Sequence, residues 1–314
     1  MSPVERANIF SSEAPVEVRE LLRQGAELLR RADVDDAVYD AGILLEQITG
    51  RQRLLLAAER ALCLPEQQEA FRKAVHRRAA GEPLQYILGE WDFYGRPFSV
   101  GEGVLIPRSD TETLVEAVKK LPLPHRPCIA DLCSGSGCIG ITLGLELAGS
   151  RVWMVEKSPR AMKYLRENIR RHSSRPLRPG VGASSLEALE GDVLFSGEAL
   201  ETADYYCAIP QLDLLVSNPP YILRELLPAL QREVQFEPAM ALDGGPDGLD
   251  FYRAIAENWR AKLRPGGWLA FEIGYDQGKA VPALLEQYGY SCVQLHRDLS
   301  GNDRCVTAQR PLIP

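Results

Sequence analysis

The sequence predicts an α/β protein: an open, mostly parallel sheet with helices on both faces, preceded by a small helical bundle. Three observations carry this. Residues 12–80 place apolar residues at helical spacing and show no strand signal. From Asp110 onward, short apolar strands alternate with helical stretches, the order that builds parallel sheets. A glycine-rich turn, Asp131-Leu-Cys-Ser-Gly135-Ser-Gly137, stands between a strand and a helix.

In the bundle, Ser12 with Pro15 opens a first helix carrying Val18, Leu21, Leu22, Leu28 and Leu29. A second holds Val38, Ile43, Leu44, Leu45 and Ile48 and stops at Gly50. Two more are expected over 54–62 and 65–79. Texture changes at Gly81-Glu82-Pro83. Residues 86–106 are aromatic and punctuated by glycine and proline, and Gly95-Arg96-Pro97 suggests a β-hairpin rather than an irregular connector. Strands follow at 128–132, 152–156, 212–217, 268–273, 291–297 and 305–309. Helices are expected over 137–148, 158–172, 249–263 and 277–287. Segment 173–211 is rich in Pro, Gly and Ser, and only its Gly-Asp-Val step is placed. The expected domains are therefore a helical bundle over 1–82, a hairpin linker over 83–109 and an α/β domain over 110–314.

With 314 residues, 45% of them hydrophobic and 25% charged, the chain has the length of two domains and an ordinary globular composition. A net charge of −7 argues against coating bare DNA or an anionic membrane. Seven scattered cysteines without a Cys-x-x-Cys pair favour free thiols in a reducing compartment. The N-terminus MSPVERANIF has no signal pattern. The most apolar stretch, 54–64, is broken by Glu59 and Arg60 and is too short to span a bilayer. The expectation is a soluble cytoplasmic protein.

Two motifs carry chemistry. The first contains Gly135-x-Gly137-x-x-Gly140, whose glycines permit a tight turn and close approach to a ligand at a helix N-terminus. Glu156, ending the next strand, places a carboxylate where it can grip two ribose hydroxyls. This context does not choose between a nicotinamide dinucleotide and another nucleoside, and glycines kept only for packing are the plainer alternative. The second motif is Asn218-Pro219-Pro220-Tyr221, at the carboxyl end of an apolar strand, where ligands bind in such sheets. Two prolines stiffen the backbone and leave carbonyls unpaired. The Asn218 oxygen, the Pro219 carbonyl and the flat face of Tyr221 suit a planar group bearing an NH₂. A strand-ending turn with a buried tyrosine is the plainer reading.

At these residues the sequence resembles a known family. Asn-Pro-Pro-Tyr is a signature of S-adenosylmethionine-dependent methyltransferases acting on amide or exocyclic amino nitrogens. PLQYILGEWDFYG (83–95), LIPRSDTE (105–112), DLCSGSGCI (131–139), SNPPYI (217–222), FEPAMALDGGPDGLDFYR (236–253) and LRPGGWLAFEIGYDQG (263–278) narrow it to the HemK/PrmC family, as does the tail DLSGNDRCV (298–306). The resemblance implies a Rossmann-like class I methyltransferase sheet. It also implies methyl transfer from S-adenosylmethionine to N5 of the glutamine in the Gly-Gly-Gln motif of peptide chain release factors, a step tied to translation termination.

Carried over by residue, the resemblance implies that Asp131, Cys133, Ser134, Gly135, Ser136 and Gly137 form the cofactor loop. Glu156 would hold the ribose hydroxyls, where most relatives have aspartate. Asp192 and Val193 would border the adenine, and Asn218 would face both cofactor and substrate. Asn218, Pro219, Pro220 and Tyr221 would receive the glutamine, with Asn218, Pro219 and Tyr221 catalytic. The bundle would help grip the release factor, or else only buttress the catalytic domain. Arg108 receives no role. No metal site is expected, since Cys133 and Cys138 match no zinc spacing. Residues 157–178 carry eight Lys and Arg against Glu167, read as a solvated face or a contact for an acidic partner or ribosomal RNA. The alternatives are a methyltransferase of the same build acting on a ribosomal-protein glutamine or on adenine in nucleic acid, and, more remotely, a nicotinamide-dependent oxidoreductase.

Overall fold

The computed structural model describes residues 16–312 apart from 57, 59 and 174–183. Ser12, Pro15 and the basic residues within 174–178 lie outside the described residues. Two compact units form: Met1–Gly89 with Arg232–Phe236, and Glu90–Gln231 with Glu237–Pro314.

The first unit contains α1 (Val18–Arg31), α2 (Ala37–Thr49), α3 (Arg53–Leu56), α4 (Pro65–Ala79) and α5 (Leu84–Leu88). Leu21, Leu29, Leu44, Leu45, Phe71 and Val75 are fully buried at its centre, each contributing about 1.5–3 kcal/mol. The third helix is shorter than the apolar pattern of 54–62 suggests. Backbone at 61–63 pairs instead with 16–18, through Val18 N–H to Ala61 O and Cys63 N–H to Val16 O, both at 2.9 Å. Arg78 on α4 donates to buried Asp40 on α2 at 2.6 Å and also pairs with Glu233, which ties 232–236 into this unit. The aromatic stretch after Pro83 first makes the short helix α5, ended by Gly89 at φ +79°, before the hairpin begins.

In the second unit, β1 (Glu90–Phe93) and β2 (Arg96–Ser99) pair antiparallel, with Trp91 opposite Phe98. Their two-residue turn is Tyr94-Gly95, both at positive φ, the geometry that matches strand twist. Helix α6 (Glu112–Lys119) precedes β3 (Cys128–Leu132), α7 (Cys138–Glu146), β4 (Arg151–Glu156), α8 (Pro159–Ser173) and β5 (Ser185–Glu190). Short helices α9 (Gly197–Glu201) and α10 (Asp204–Ala208) lead to β6 (Leu212–Ser217). Then come α11 (Asp250–Asn258), β7 (Leu263–Glu272), α12 (Ala280–Gln287), β8 (Ser291–Arg297) and β9 (Asp303–Gln309).

The sheet runs β5-β4-β3-β6-β7-β9-β8, parallel from β5 to β7, with β9 antiparallel to both β7 and the edge strand β8. Two apolar clusters cover its faces, one around Trp259, Tyr252 and Phe271, the other around Leu143, Met154 and Val216. This is the open sheet expected for class I methyltransferases. Strand order reverses beside β3, so the carboxyl ends of β3, β4 and β6 open onto one crevice.

Candidate active site

The crevice is lined by the turn after β3, the end of β4, the step after β5 and Asn218 after β6, together with segment 103–108 and Pro238, Met240 and Ala241.

The turn after β3 is fixed from within. Cys133 and Gly135 take positive φ, +60° and +56°, and Gly137 caps α7 at +80°. Ser134 donates its hydroxyl to Asp131 O at 2.7 Å and its amide to Val155 O at 3.1 Å. Asp131, fully buried, accepts the Gly140 N–H at 2.9 Å from the first turn of α7, while its Oδ1 has no hydrogen-bond partner among the described residues. Burial pushes its carboxyl up to about 8, against the Gly140 bond and with help from the Glu156 charge. Asp131 and Gly137 thus stand behind the crevice, whereas Cys133, Ser134, Gly135 and Ser136 line it. Burial also raises the Cys133 thiol well above its ordinary range, so it is a neutral lining group there.

Glu156 ends β4 with its side chain almost fully buried. Oε2 accepts the Gly135 N–H at 2.8 Å and Oε1 the Ser158 N–H at 2.7 Å. Burial raises its pKa while the Ser158, Gly135 and Lys157 amides hold it down. Each oxygen keeps a further lone pair free to accept, and Glu156 is among the residues lining the crevice. After β5, Asp192 accepts from Lys157 at 2.7 Å, and the Leu194 N–H closes an Asx turn on Asp192 Oδ1 at 3.0 Å. Tyr205 donates to Asp192 O at 2.6 Å and the Trp259 indole to Val193 O at 3.3 Å, so two aromatic anchors set this step from the core side.

Beyond β6, Asn218 is half-buried and Pro220 lines the crevice; Pro219 is buried and does not line it. Tyr221 packs on the core, its hydroxyl 3.5 Å from Glu272 Oε1. The backbone here is held from two places: the Ile222 N–H donates to Leu242 O at 2.9 Å, and Gln277 Nε2 donates to Tyr221 O at 3.2 Å. A Cβ on Gly244 would lie 2.7 Å from Tyr221 Cα, and one on Gly248 2.5 Å from Tyr221 O. Only glycine admits this backbone approach.

Several residues of the site carry no local sequence signal of their own. Glu237 is buried, accepts the Ile106 N–H at 2.9 Å and pairs with Arg108, clamping segment 103–108 to 237–241. Thr111 and Met240 line the crevice, and Glu272 lies behind it. Their signal was present only as the stretches 105–112, 236–253 and 263–278, which no pairing rule connects.

S-adenosylmethionine fits these residues. Lys157 and Arg108 are engaged by Asp192 and Glu237, while Glu156 meets only amides among the described residues. A crevice with paired cations and an amide-held carboxylate favours a cationic nucleoside over a pyrophosphate. Among the described residues no cluster of three or more His, Cys, Asp and Glu is placed to hold a metal ion, and no helix is long and apolar enough to cross a membrane.

Residues 20–89 match the family model of the PrmC N-terminal domain. The chain is 40% identical to a release factor glutamine methyltransferase of Moorella thermoacetica, over 93% of this chain and 98% of that one. It is 38% identical to the protein of that name from Geobacter sulfurreducens, over 92% and 95%. Among solved structures, the catalytic domain of hMettl16 in complex with a MAT2A 3′UTR hairpin shares the fold. Its TM-score is 0.52 and its identity 16%, over 76% of this chain and 80% of that one.

Proposed function

This chain belongs to the release factor glutamine methyltransferase family, and on that premise we propose how its residues perform the reaction. It is an S-adenosylmethionine-dependent protein-glutamine N-methyltransferase, and the acceptor we assign is the side-chain amide nitrogen of the glutamine in the Gly-Gly-Gln motif of release factors. The observation that supports this best is Asn218, half-buried at the end of β6 in the same crevice as the amide-held carboxylate of Glu156.

A carboxamide nitrogen is a weak nucleophile because its lone pair is delocalised into the carbonyl. The cofactor, when bound, supplies a methyl group already activated on a sulfonium. The Asn218 oxygen accepts one N–H of the substrate amide and aims the nitrogen; the Pro219 carbonyl, although Pro219 is outside the crevice lining, is the acceptor assigned to the other N–H. Pro220 and the Tyr221 ring confine the planar group. Glu156 holds the ribose diol, Asp192 and Val193 border the adenine, and Cys133–Gly137 wrap the methionine portion, with Asp131 bracing that loop.

Alignment of two bound reactants is worth up to about 7–11 kcal/mol, whereas a general base adds about 10²–10⁴-fold, roughly 3–5 kcal/mol. His172 contacts Pro97 O and His296 contacts Thr307, and among the described residues no histidine lines the crevice. Positioning is therefore the larger effect, the proton leaving after methyl transfer without an obligatory side-chain base. The helical bundle contributes to holding the release factor. The charge of −7 supports a protein acceptor over DNA, and seven free cysteines support a cytoplasmic setting.

Incubation with labelled S-adenosylmethionine and purified release factors, ribosomal proteins and DNA tests the acceptor. Label is expected in the peptide containing Gly-Gly-Gln; label on DNA or a ribosomal protein alone would overturn the assignment.

A further inference from the structure

The tail 298–306 has no part in the reaction as described, and neither has Asp110 in the stretch 105–112. The fold joins them. Asp298 stands in the turn between β8 and β9 with its side chain 3% exposed. Its Oδ1 accepts the Ser300 and Asn302 N–H groups, both at 2.9 Å, and its Oδ2 accepts Arg304 Nε at 3.2 Å. The Arg304 side chain is 11% exposed, and its Nη2 pairs with Asp110 Oδ2 at 3.2 Å. The Ile273 N–H donates to Arg304 O at 2.9 Å, so the backbone of Arg304 is fixed as well. A carboxylate locked by two amides thus aims an arginine at the turn before α6.

That turn belongs to the crevice wall. Residues 105–108 and Thr111 line the crevice, and Thr111 Oγ1 stands 3.5 Å from Asn218 Nδ2. At that separation the two side chains pack against each other, whichever end of the amide is turned to the hydroxyl. The wall is fastened on both sides of Ser109. Arg108 pairs with buried Glu237, and Asp110, half-exposed, pairs with Arg304. A misplacement of about 1 Å can cost about 10²-fold in rate, whereas a half-exposed ion pair adds little to stability. Loss of the Asp110 pair should therefore show in turnover far more than in melting.

We propose that Arg304 is a positioning residue for methyl transfer: anchored by Asp298, it holds Asp110 and so sets the 109–111 turn, and with it Thr111, against Asn218. Arg304 is not among the described residues that line the crevice, so its effect passes through Asp110. This rests on the reading of Asn218 as the group that orients the glutamine amide.

The test compares Asp110→Ala, Asp110→Asn, Arg304→Lys and Asn218→Ala in the full chain, measuring kcat and KM on a release factor, cofactor Kd by calorimetry, and melting temperature. Asp110→Ala is expected to lower kcat at least about tenfold with cofactor Kd within about threefold of wild type. Its melting temperature should stay within about 2 °C of wild type. Asp110→Asn, which keeps an acceptor for Arg304, retains kcat to within about threefold. Arg304→Lys keeps a charge for Asp298 but loses the fork that spans two carboxylates, and it should lower kcat as Asp110→Ala does. Combining the two costs little more, because both act through one contact. Wild-type kcat in Asp110→Ala or Arg304→Lys beside an inactive Asn218→Ala overturns this inference alone. Equal losses in the Ala and Asn variants overturn it as well. A raised KM for the release factor with unchanged kcat would make Asp110 a surface contact and also overturn it. Wild-type turnover in Asn218→Ala overturns the underlying reading of Asn218. Should Arg304→Lys fail to fold, the two Asp110 variants decide the matter.

Discussion

The Gly135 amide donates to Glu156 Oε2 at 2.8 Å, so the turn after β3 and the carboxylate ending β4 form one rigid bracket. Removing the carboxylate therefore loosens the cofactor loop and takes away the group assigned to the ribose. Glu156→Ala is expected to weaken S-adenosylmethionine binding by about 10–150-fold, the equivalent of about 1.5–3 kcal/mol for bonds to a charged group. Calorimetry checks this, and a Kd within about threefold of wild type would remove Glu156 from the cofactor site.

The same loop depends on the absence of a side chain at Gly140. A Cβ there would lie 2.8 Å from Asp131 Oδ2 and 2.9 Å from Met154 Sδ. Alanine inside a helix ordinarily gains about 0.5–1 kcal/mol over glycine; here overpacking reverses the sign. Gly140→Ala is expected to lose about 1–3 kcal/mol in urea unfolding, and a stabilised variant would show that the loop yields easily.

Asp131 makes stability depend on pH. Burial raises its carboxyl from 3.8 to about 8, so at intermediate pH the folded chain retains a proton that the unfolded chain has released. Stability from this group is complete below about 4 and is lost as pH rises to about 8. Asp131→Asn cannot titrate. The stability gap between Asp131→Asn and wild type, followed by urea midpoints at pH 5, 6.5 and 8 without cofactor, should move in favour of asparagine as pH rises. A gap that stays constant would mean that Asp131 is ionised in the fold throughout.

Glu237 holds segment 103–108 from behind through the Ile106 amide and Arg108. Glu237→Ala leaves a buried N–H without its partner and is expected to cost about 1–3 kcal/mol, with weaker cofactor binding. Glu237→Gln, which keeps an acceptor for Ile106, should lose less of both. Equal stability and affinity in wild type and Glu237→Ala would show that the clamp has no mechanical role.

What the sequence displayed and what it concealed follow from range. Runs such as 212–217 and 128–132 announce buried parallel strands, because both faces are apolar. The Gly135–Gly137 turn and the Asn218–Tyr221 motif are local, so their place at strand ends was readable. Strand β5, Ser185–Glu190, alternates half-buried with exposed residues at the sheet edge and lacks that signature. The turn at Tyr94 was equally hidden, since a tyrosine at φ +53° is set by its surroundings. Glu237 meets Ile106 and Glu272 meets Tyr221 only after folding, across 131 and 51 residues. No local pattern reports such pairings.

The role proposed for Asn218 is to position the acceptor amide, with no base supplied by its side chain. Its most direct test is Asn218→Ala assayed for methyl transfer to a purified release factor and for cofactor binding on the same preparation. Transfer should fall at least about 100-fold, the scale on which misplaced reactants lose rate, with cofactor Kd within about threefold of wild type. Turnover within a few-fold of wild type would contradict it.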